Sequence, residues 1–285
     1  MSVRTAFEKA AADGRAALVG YLPAGFPDVA GGIDALRAMV EAGCDVIEVG
    51  LPYSDPVMDG PTIQAAAQQA LDRGVRTADV LRTVEAVAAT GTPTVVMTYW
   101  NPVESYGRAS GRGSGRSGVE RFARDLHAAG GAGLITPDLT PDSAPAWIAA
   151  ADELNLDKVF LVAPSSTDAR VELTVAASRG FVYATAVMGV TGARTTTSDL
   201  AGPLVARTKA AAERLGSDLP VGVGLGVSNG AQAAEVAAKG GIGADGVIVG
   251  SAFVRTLLDH PDDRAAGLRA LTALTEDLAG GVRRA

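Results

Sequence analysis

The sequence predicts a (β/α)8 TIM barrel with an additional N-terminal helix, and three observations carry that prediction. Eight short apolar runs recur along 285 residues, and helix-like segments lie between them. Most of the runs are near-continuous rather than alternating, as parallel strands covered on both faces are. The length suits a single barrel of about 250 residues. A doubly wound sheet is the structural alternative, but eight rounds of strand–helix alternation favour closure.

The elements follow in order. Val3–Ala12 reads as the additional helix ahead of the barrel. The strand-like runs are Ala17–Leu22, Asp45–Leu51, Thr94–Tyr99, Gly133–Thr136, Lys158–Ala163, Phe181–Val187, Val221–Leu225 and Gly246–Gly250. Amphipathic, Ala-rich segments read as helices at Gly31–Ala42, Thr62–Arg73, Ala78–Ala89, Val119–Ala129, Ser143–Leu154, Ala169–Ser178, Leu200–Leu215 and Ala231–Lys239. Leu268–Leu278 closes the series. One stretch breaks the pattern: Gly107-Arg-Ala-Ser-Gly-Arg-Gly-Ser-Gly-Arg-Ser-Gly118 is low-complexity and is expected to be a flexible insertion at 107–118. No other composition shift marks a boundary, so residues 1–285 are expected to form a single barrel domain.

Composition narrows the function classes. Hydrophobic residues make up 47% and charged residues 20%, which describes a globular protein with a large core. With 25 basic and 32 acidic side chains the net charge is −7, against non-specific nucleic-acid binding, which needs Lys and Arg on phosphates. Cys44 is the single cysteine, so no internal disulfide forms and a reducing compartment is the simplest reading. The N-terminal residues carry no apolar segment of signal-peptide length and nothing later approaches a membrane span, so a soluble, cytoplasmic protein is expected.

Active sites of such barrels lie at the C-terminal ends of the strands. Glycines crowd those ends in the last three runs: Met188-Gly-Val-Thr-Gly-Ala193, Gly222-Val-Gly-Leu-Gly-Val-Ser-Asn-Gly230 and Gly246-Val-Ile-Val-Gly-Ser251. Glycine lets backbone N–H groups approach an anion, and a helix N-terminus adds a favourable dipole, so a phosphate-bearing ligand is expected there. Gly226-Val-Ser-Asn-Gly230 also matches a nucleophile elbow, with Asp245 and His260 in the matching chain order. His260 lies in His-Pro-Asp-Asp beyond the last run, where a surface turn is the plainer reading.

Other chemistries lack their parts. His127 and His260 are the only histidines, and no His, Cys and carboxylate cluster has metal-ligand spacing, so no metal site is expected. The four lysines are Lys9, Lys158, Lys209 and Lys239, none followed by Ser or Thr, so there is no Walker A motif. Lys158 begins its run, away from the catalytic end where an imine-forming lysine belongs. Carboxylate proton transfer remains. Period-two alternation puts Val46, Glu48 and Gly50 on one face of the second run, pointing Glu48 into the barrel near its mouth. Desolvation there raises a carboxyl pKa towards neutrality. A structural Glu48 paired with an Arg or backbone donors stays open on spacing alone. Asp55 and Asp59 stand in Asp-Pro and Asp-Gly pairs common in turns, and Tyr183 by itself reads as core.

Six stretches stand out in order along nearly the whole length, beginning with Tyr21-Leu-Pro-Ala-Gly-Phe-Pro27 and Glu48-Val-Gly-Leu-Pro-Tyr-Ser-Asp-Pro-Val-Met-Asp-Gly-Pro61. Met97-Thr-Tyr-Trp-Asn-Pro102, Pro137-Asp-Leu139, Gly189-Val-Thr-Gly192 and Gly224-Leu-Gly-Val-Ser228 follow. In these the chain resembles the tryptophan synthase alpha-chain family, most specifically over Glu48–Pro61. The resemblance implies a lyase of tryptophan biosynthesis that splits indole-3-glycerol phosphate into indole and glyceraldehyde 3-phosphate. It implies that Glu48 moves protons, Asp59 holds the indole N–H and Tyr183 supports Glu48. It places Tyr21 in the indole pocket, Thr191 in a closing loop, and the phosphate near Gly192, Gly226, Gly250 and Ser251. It further implies an alpha2-beta2 heterotetramer, docked through the regions of Asp59, Asn101, Pro102 and Asp138. No cofactor is expected in this chain, pyridoxal phosphate belonging to the beta chain. The insertion at 107–118 and Gly240-Gly-Ile-Gly-Ala244 depart from the family pattern, the first close to the docking side.

Overall fold

The computed structural model describes residues 2–107, 117–185 and 198–283, so Thr191, Gly192 and positions 108–116 of the insertion lie outside the described residues. Among these, nine parallel strands alternate with twelve α-helices. Helix α1 (Val3–Ala12) precedes β1 (Ala17–Pro23), α2 (Val29–Glu41) and β2 (Val46–Gly50). Then come α3 (Pro61–Asp72), α4 (Thr77–Ala88), β3 (Thr94–Met97), α5 (Trp100–Glu104), α6 (Gly118–Ala128) and β4 (Gly133–Ile135). Next are α7 (Pro145–Glu153), β5 (Asp157–Val159), β6 (Leu161–Val162), α8 (Asp168–Ala177), β7 (Val182–Thr185) and α9 (Ser198–Arg214). The series ends with β8 (Val221–Gly224), α10 (Gly230–Ala237), β9 (Gly246–Val249), α11 (Ser251–Leu258) and α12 (Arg264–Arg283).

The sheet runs β5-β4-β3-β2-β1-β9-β8-β7-β6. Its two ends, β5 and β6, are halves of one chain segment separated only by Phe160, so the sheet closes on itself. The expected fifth strand, Lys158–Ala163, is thus two pieces. β5 pairs with β4 and β6 with β7, and the main chain bridges the seam where Tyr183 N donates to Phe160 O at 3.1 Å. Eight barrel positions therefore carry nine strands. This is the (β/α)8 barrel with its additional helix.

Alternation along each strand sorts the core into two layers. Val19, Val46, Val95, Ile135, Val159, Phe181 and Ile248 fill the barrel interior together with Phe7 of α1. Leu18, Leu22, Ile47, Val49 and Leu134 face outwards on to Leu36, Met39, Phe122 and Trp147 of the surrounding helices. Helix α1 stops the N-terminal end of the barrel. Phe7 stacks on Phe181 with ring centroids 5.2 Å apart, and a Cβ on Gly246 would lie only 2.5 Å from the Phe7 ring.

That end is tied by three aspartates at strand feet. Asp45 accepts from Leu18 N at 2.9 Å and from both terminal nitrogens of Arg15 at 2.7 and 2.8 Å. Asp245 accepts from Val221 N at 2.9 Å and from Lys209 Nζ at 2.6 Å. Asp157, fully buried, accepts from Val3 N at 2.7 Å and from Ser2 Oγ at 2.9 Å, holding the start of α1. Desolvation still raises its pKa, opposed by those donors.

Two helices escape the sequence reading. α5 has five residues, too short for a 3.6-residue period to declare itself, and α11 follows β9 with only Gly250 between them. α12 runs 20 residues rather than Leu268–Leu278, because Asp263 caps it upstream through Ala266 N at 2.8 Å.

Candidate active site

Glu48 sits mid-strand on β2, in register with Tyr21 on β1 and Val95 on β3. Its side chain points inwards and is 1% exposed, and among the described residues its Oε1 has no hydrogen-bond partner. Burial alone pushes the carboxyl up to about 8, because a charge there would lack both water and a counter-ion. A structural glutamate would have an arginine or backbone donors on both oxygens. This one has not.

Two tyrosines approach it, and a third orders the loop that follows its strand. Tyr21 reaches over β2, where a Cβ on Gly50 would stand 2.6 Å from its Cζ and overlap its Oη. The place of a side chain at Gly50, above Glu48, is therefore taken from the neighbouring strand. Tyr183, on β7 opposite Leu161 and Gly222, projects over Gly224, where a Cβ would overlap its hydroxyl. Burial and then the Glu48 charge push the Tyr183 phenol up. Both hydroxyls stay neutral donors.

The third, Tyr99, has no assigned task in the sequence reading, although it stands in the Met97–Pro102 motif. It follows β3 and organises the loop that carries Asp59. Its hydroxyl accepts from Met58 N at 2.9 Å and hydrogen-bonds the Asp59 side chain. Desolvation raises the Asp59 pKa and the Tyr99 bond draws it back. Tyr99 packs on Tyr53 with centroids 5.3 Å apart, and Tyr53 Oη accepts from Asn101 Nδ2 at 3.2 Å. Asp138 accepts from Trp100 N at 2.9 Å, fixing the start of α5. Asp59, Asn101 and Asp138 thus share one continuous rim, Pro102 lying beside Asn101 within α5. An unpaired aromatic just past a strand end was the available signal for Tyr99.

The glycine loops divide unequally. α10 starts already capped, with Asn229 accepting from Gln232 N at 3.0 Å and Asp277 accepting from Gly230 N at 2.6 Å. Among the described residues α11 has no side-chain cap, so its first-turn amides from Ser251 onwards are not claimed by a capping side chain. Gly250 immediately precedes them, and Gly226 turns the preceding loop at φ +72°, with open space around it.

The nucleophile elbow dissolves in three dimensions. Ser228 Oγ donates to Gln232 Oε1 at 3.1 Å, His260 Nδ1 meets Thr256 O at 2.9 Å, and Asp245 is engaged at the foot of β9, the opposite end of the barrel. Lys158 is at the same foot, paired with Asp152. Among the described residues, no three of His, Cys, Asp and Glu gather as a metal site, and no helix is long and apolar enough to cross a membrane.

A protein-family model described as tryptophan synthase alpha chain matches residues 7–283. The tryptophan synthase alpha chain of Salinispora arenicola is 62% identical over 281 residues, covering 99% of this chain and 97% of that one. The Nocardia farcinica alpha chain is 58% identical over 279 residues, covering 98% and 95%. A solved tryptophan synthase structure from Mycobacterium tuberculosis superposes with a TM-score of 0.85 at 54% identity, covering 99% of this chain and 98% of that one. With its enclosed acid at a barrel mouth and relatives of this closeness, the chain belongs to the tryptophan synthase alpha-chain family, the lyases that cleave indole-3-glycerol phosphate to indole and glyceraldehyde 3-phosphate.

Proposed function

We propose that this chain performs its family's retro-aldol cleavage with Glu48 as general acid and base, Asp59 as the partner of the indole N–H, and Tyr183 supporting Glu48. The observation that carries the reading is Glu48, enclosed, inward-facing and, among the described residues, without a partner on Oε1, so that burial pushes its carboxyl up to about 8. A protonated acid is what the first step requires. It gives its proton to indole C3, and the ring nitrogen takes the positive charge. Asp59, ionised, accepts the N–H and stabilises that charge as it develops. Glu48, now a carboxylate, takes the proton of the hydroxyl on the carbon attached to C3. That carbon becomes the aldehyde as its bond to C3 breaks. The electron pair returns to the ring, indole leaves, and Glu48 has its proton again.

The phosphate end belongs at the uncapped start of α11, on the amides of Gly250 and Ser251, with Gly226 and Gly192 closing the cradle. Thr191 belongs to the loop over substrate and Tyr21 to the indole pocket. In the cytoplasm the chain docks on a beta chain in an alpha2-beta2 assembly, through the rim of Asn101, Pro102 and Asp138. Pyridoxal phosphate is the beta chain's; this chain brings no cofactor of its own. The contiguous rim and the relatives named tryptophan synthase support that part. The decisive test is Glu48→Gln: indole release from indole-3-glycerol phosphate is expected to vanish while equilibrium dialysis still detects substrate binding. Near-wild-type turnover would remove Glu48 from the mechanism.

A further inference from the structure

We propose that Asp277, on α12, is a positioning residue for the substrate phosphate, acting through the turn that carries Gly226. The inference rests on the phosphate cradle proposed above and adds to it a side chain that does not itself meet the ligand. Gly226 lies in the stretch 225–229 that joins β8 to α10. One end of that stretch continues from β8, whose first three residues are buried. The other end is gripped from a different element: Asp277 Oδ2 accepts from the N–H of Gly230, the first residue of α10, at 2.6 Å. Charge-assisted bonds of this kind are the strong ones. Gly281, one helical turn beyond Asp277 on the same face of α12, lets the two backbones meet. A Cβ there would overlap Gly230 O and stand 2.7 Å from Gly230 Cα.

The rest of the turn is fastened locally. Ser228 N and Ser228 Oγ donate to Gln232 Oε1 at 2.8 and 3.1 Å, and Asn229 Oδ1 accepts from Gln232 N at 3.0 Å. Those bonds tie the turn to its own helix, whereas the bond to Asp277 ties it to another. Gly226 is left exposed at φ +72°, with open space where a Cβ would stand. A ligand can therefore reach its backbone, and the direction of that backbone depends on what holds the turn. The Asp277 charge sits at the start of α10, where the helix dipole favours an anion. The start of α11, after the neighbouring strand β9, has no side-chain cap among the described residues and stays available to the phosphate.

The test compares Asp277→Ala and Asp277→Asn with wild type in the full-length chain, alone and with the beta chain. Cleavage of indole-3-glycerol phosphate gives kcat and KM, and inorganic phosphate serves as a competitive probe of the cradle. Asp277→Ala is expected to raise KM and the inhibition constant of phosphate together, by about tenfold, with kcat kept within about twofold. Asparagine retains an acceptor for Gly230 N and is expected to recover most of both. Gly281→Ala reaches the same turn by pressing on Gly230 O with Asp277 intact. It is expected to raise the same two constants, and it takes over should Asp277→Ala not fold. A purely structural tie would lower the thermal midpoint and leave KM and phosphate inhibition in place, and that result overturns the proposal. Gly226→Ala separates the two levels of the argument. If it weakens phosphate inhibition and the Asp277 variants do not, the proposal alone fails. If it too leaves phosphate inhibition unmoved, the cradle reading fails and this proposal with it.

Discussion

Glu48, proposed as the acid–base group, is destabilising to the fold when ionised. Its pKa stands at 4.5 in the unfolded chain and about 8 in the barrel, so the native state binds its proton more tightly. The stability that goes with this protonated carboxyl is complete below about pH 4.5 and drains away as pH rises through about 8. Glutamine mimics the protonated form and cannot ionise. Glu48→Gln is therefore expected to gain a few kcal/mol over wild type at pH 8 to 9, and almost nothing near pH 4.5, in urea unfolding series at the two pH values. Equal stability at both would mean the carboxyl finds water or a partner. Glu48 itself was legible in the sequence, since strand alternation sets its direction. Tyr21's reach over Gly50 and Tyr99's hold on Asp59 were not, because both depend on which strands are neighbours.

The elements owe their positions to small terminal devices as much as to apolar periodicity. Helix α1 is the clearest case: Phe7 fills the barrel foot while Asp157 holds Val3 N and Ser2 Oγ. Asp157→Ala leaves those donors without their charged acceptor and is expected to cost about 2–4 kcal/mol. Amide exchange should show α1 opening before the barrel does; a loss shared evenly over the whole chain would contradict the latch. Strand positions were readable because buried parallel strands are continuous apolar runs. Phe160, the seam residue, lies within such a run and gives no hint that β5 and β6 pair with different neighbours. Helix α5 was hidden by length, and α11 because only Gly250 separates it from β9. Yet the start of α11, uncapped by side chains among the described residues, is where the anion end of the site is proposed.

On the scale of the whole molecule, the residues proposed for chemistry and those proposed for docking lie at the C-terminal rim, while α1 seals the opposite end. Val57, 69% exposed, stands on that rim in the Asp59 loop, its neighbour Met58 tied to Tyr99. It is one apolar side chain left in solvent on the rim proposed for docking. Val57→Asp is expected to weaken association with the beta chain at least tenfold in titration calorimetry, and unchanged affinity would place the docking surface elsewhere. Barrel closure itself was legible from eight alternations. Which rim loops touch one another was not, because the contact of Tyr53 with Asn101 depends on β2 and β3 lying side by side.

The fit of rings into the places of absent side chains has an evolutionary consequence. Gly50 answers Tyr21, Gly224 answers Tyr183 and Gly246 answers Phe7. Enlarging any of these glycines alone collides with an aromatic from another element, whereas shrinking the aromatic first opens room. These six positions are thus inherited as three linked loci. A lineage can remodel the mouth or the plug only by two-step exchanges, in which the aromatic gives way before its glycine grows.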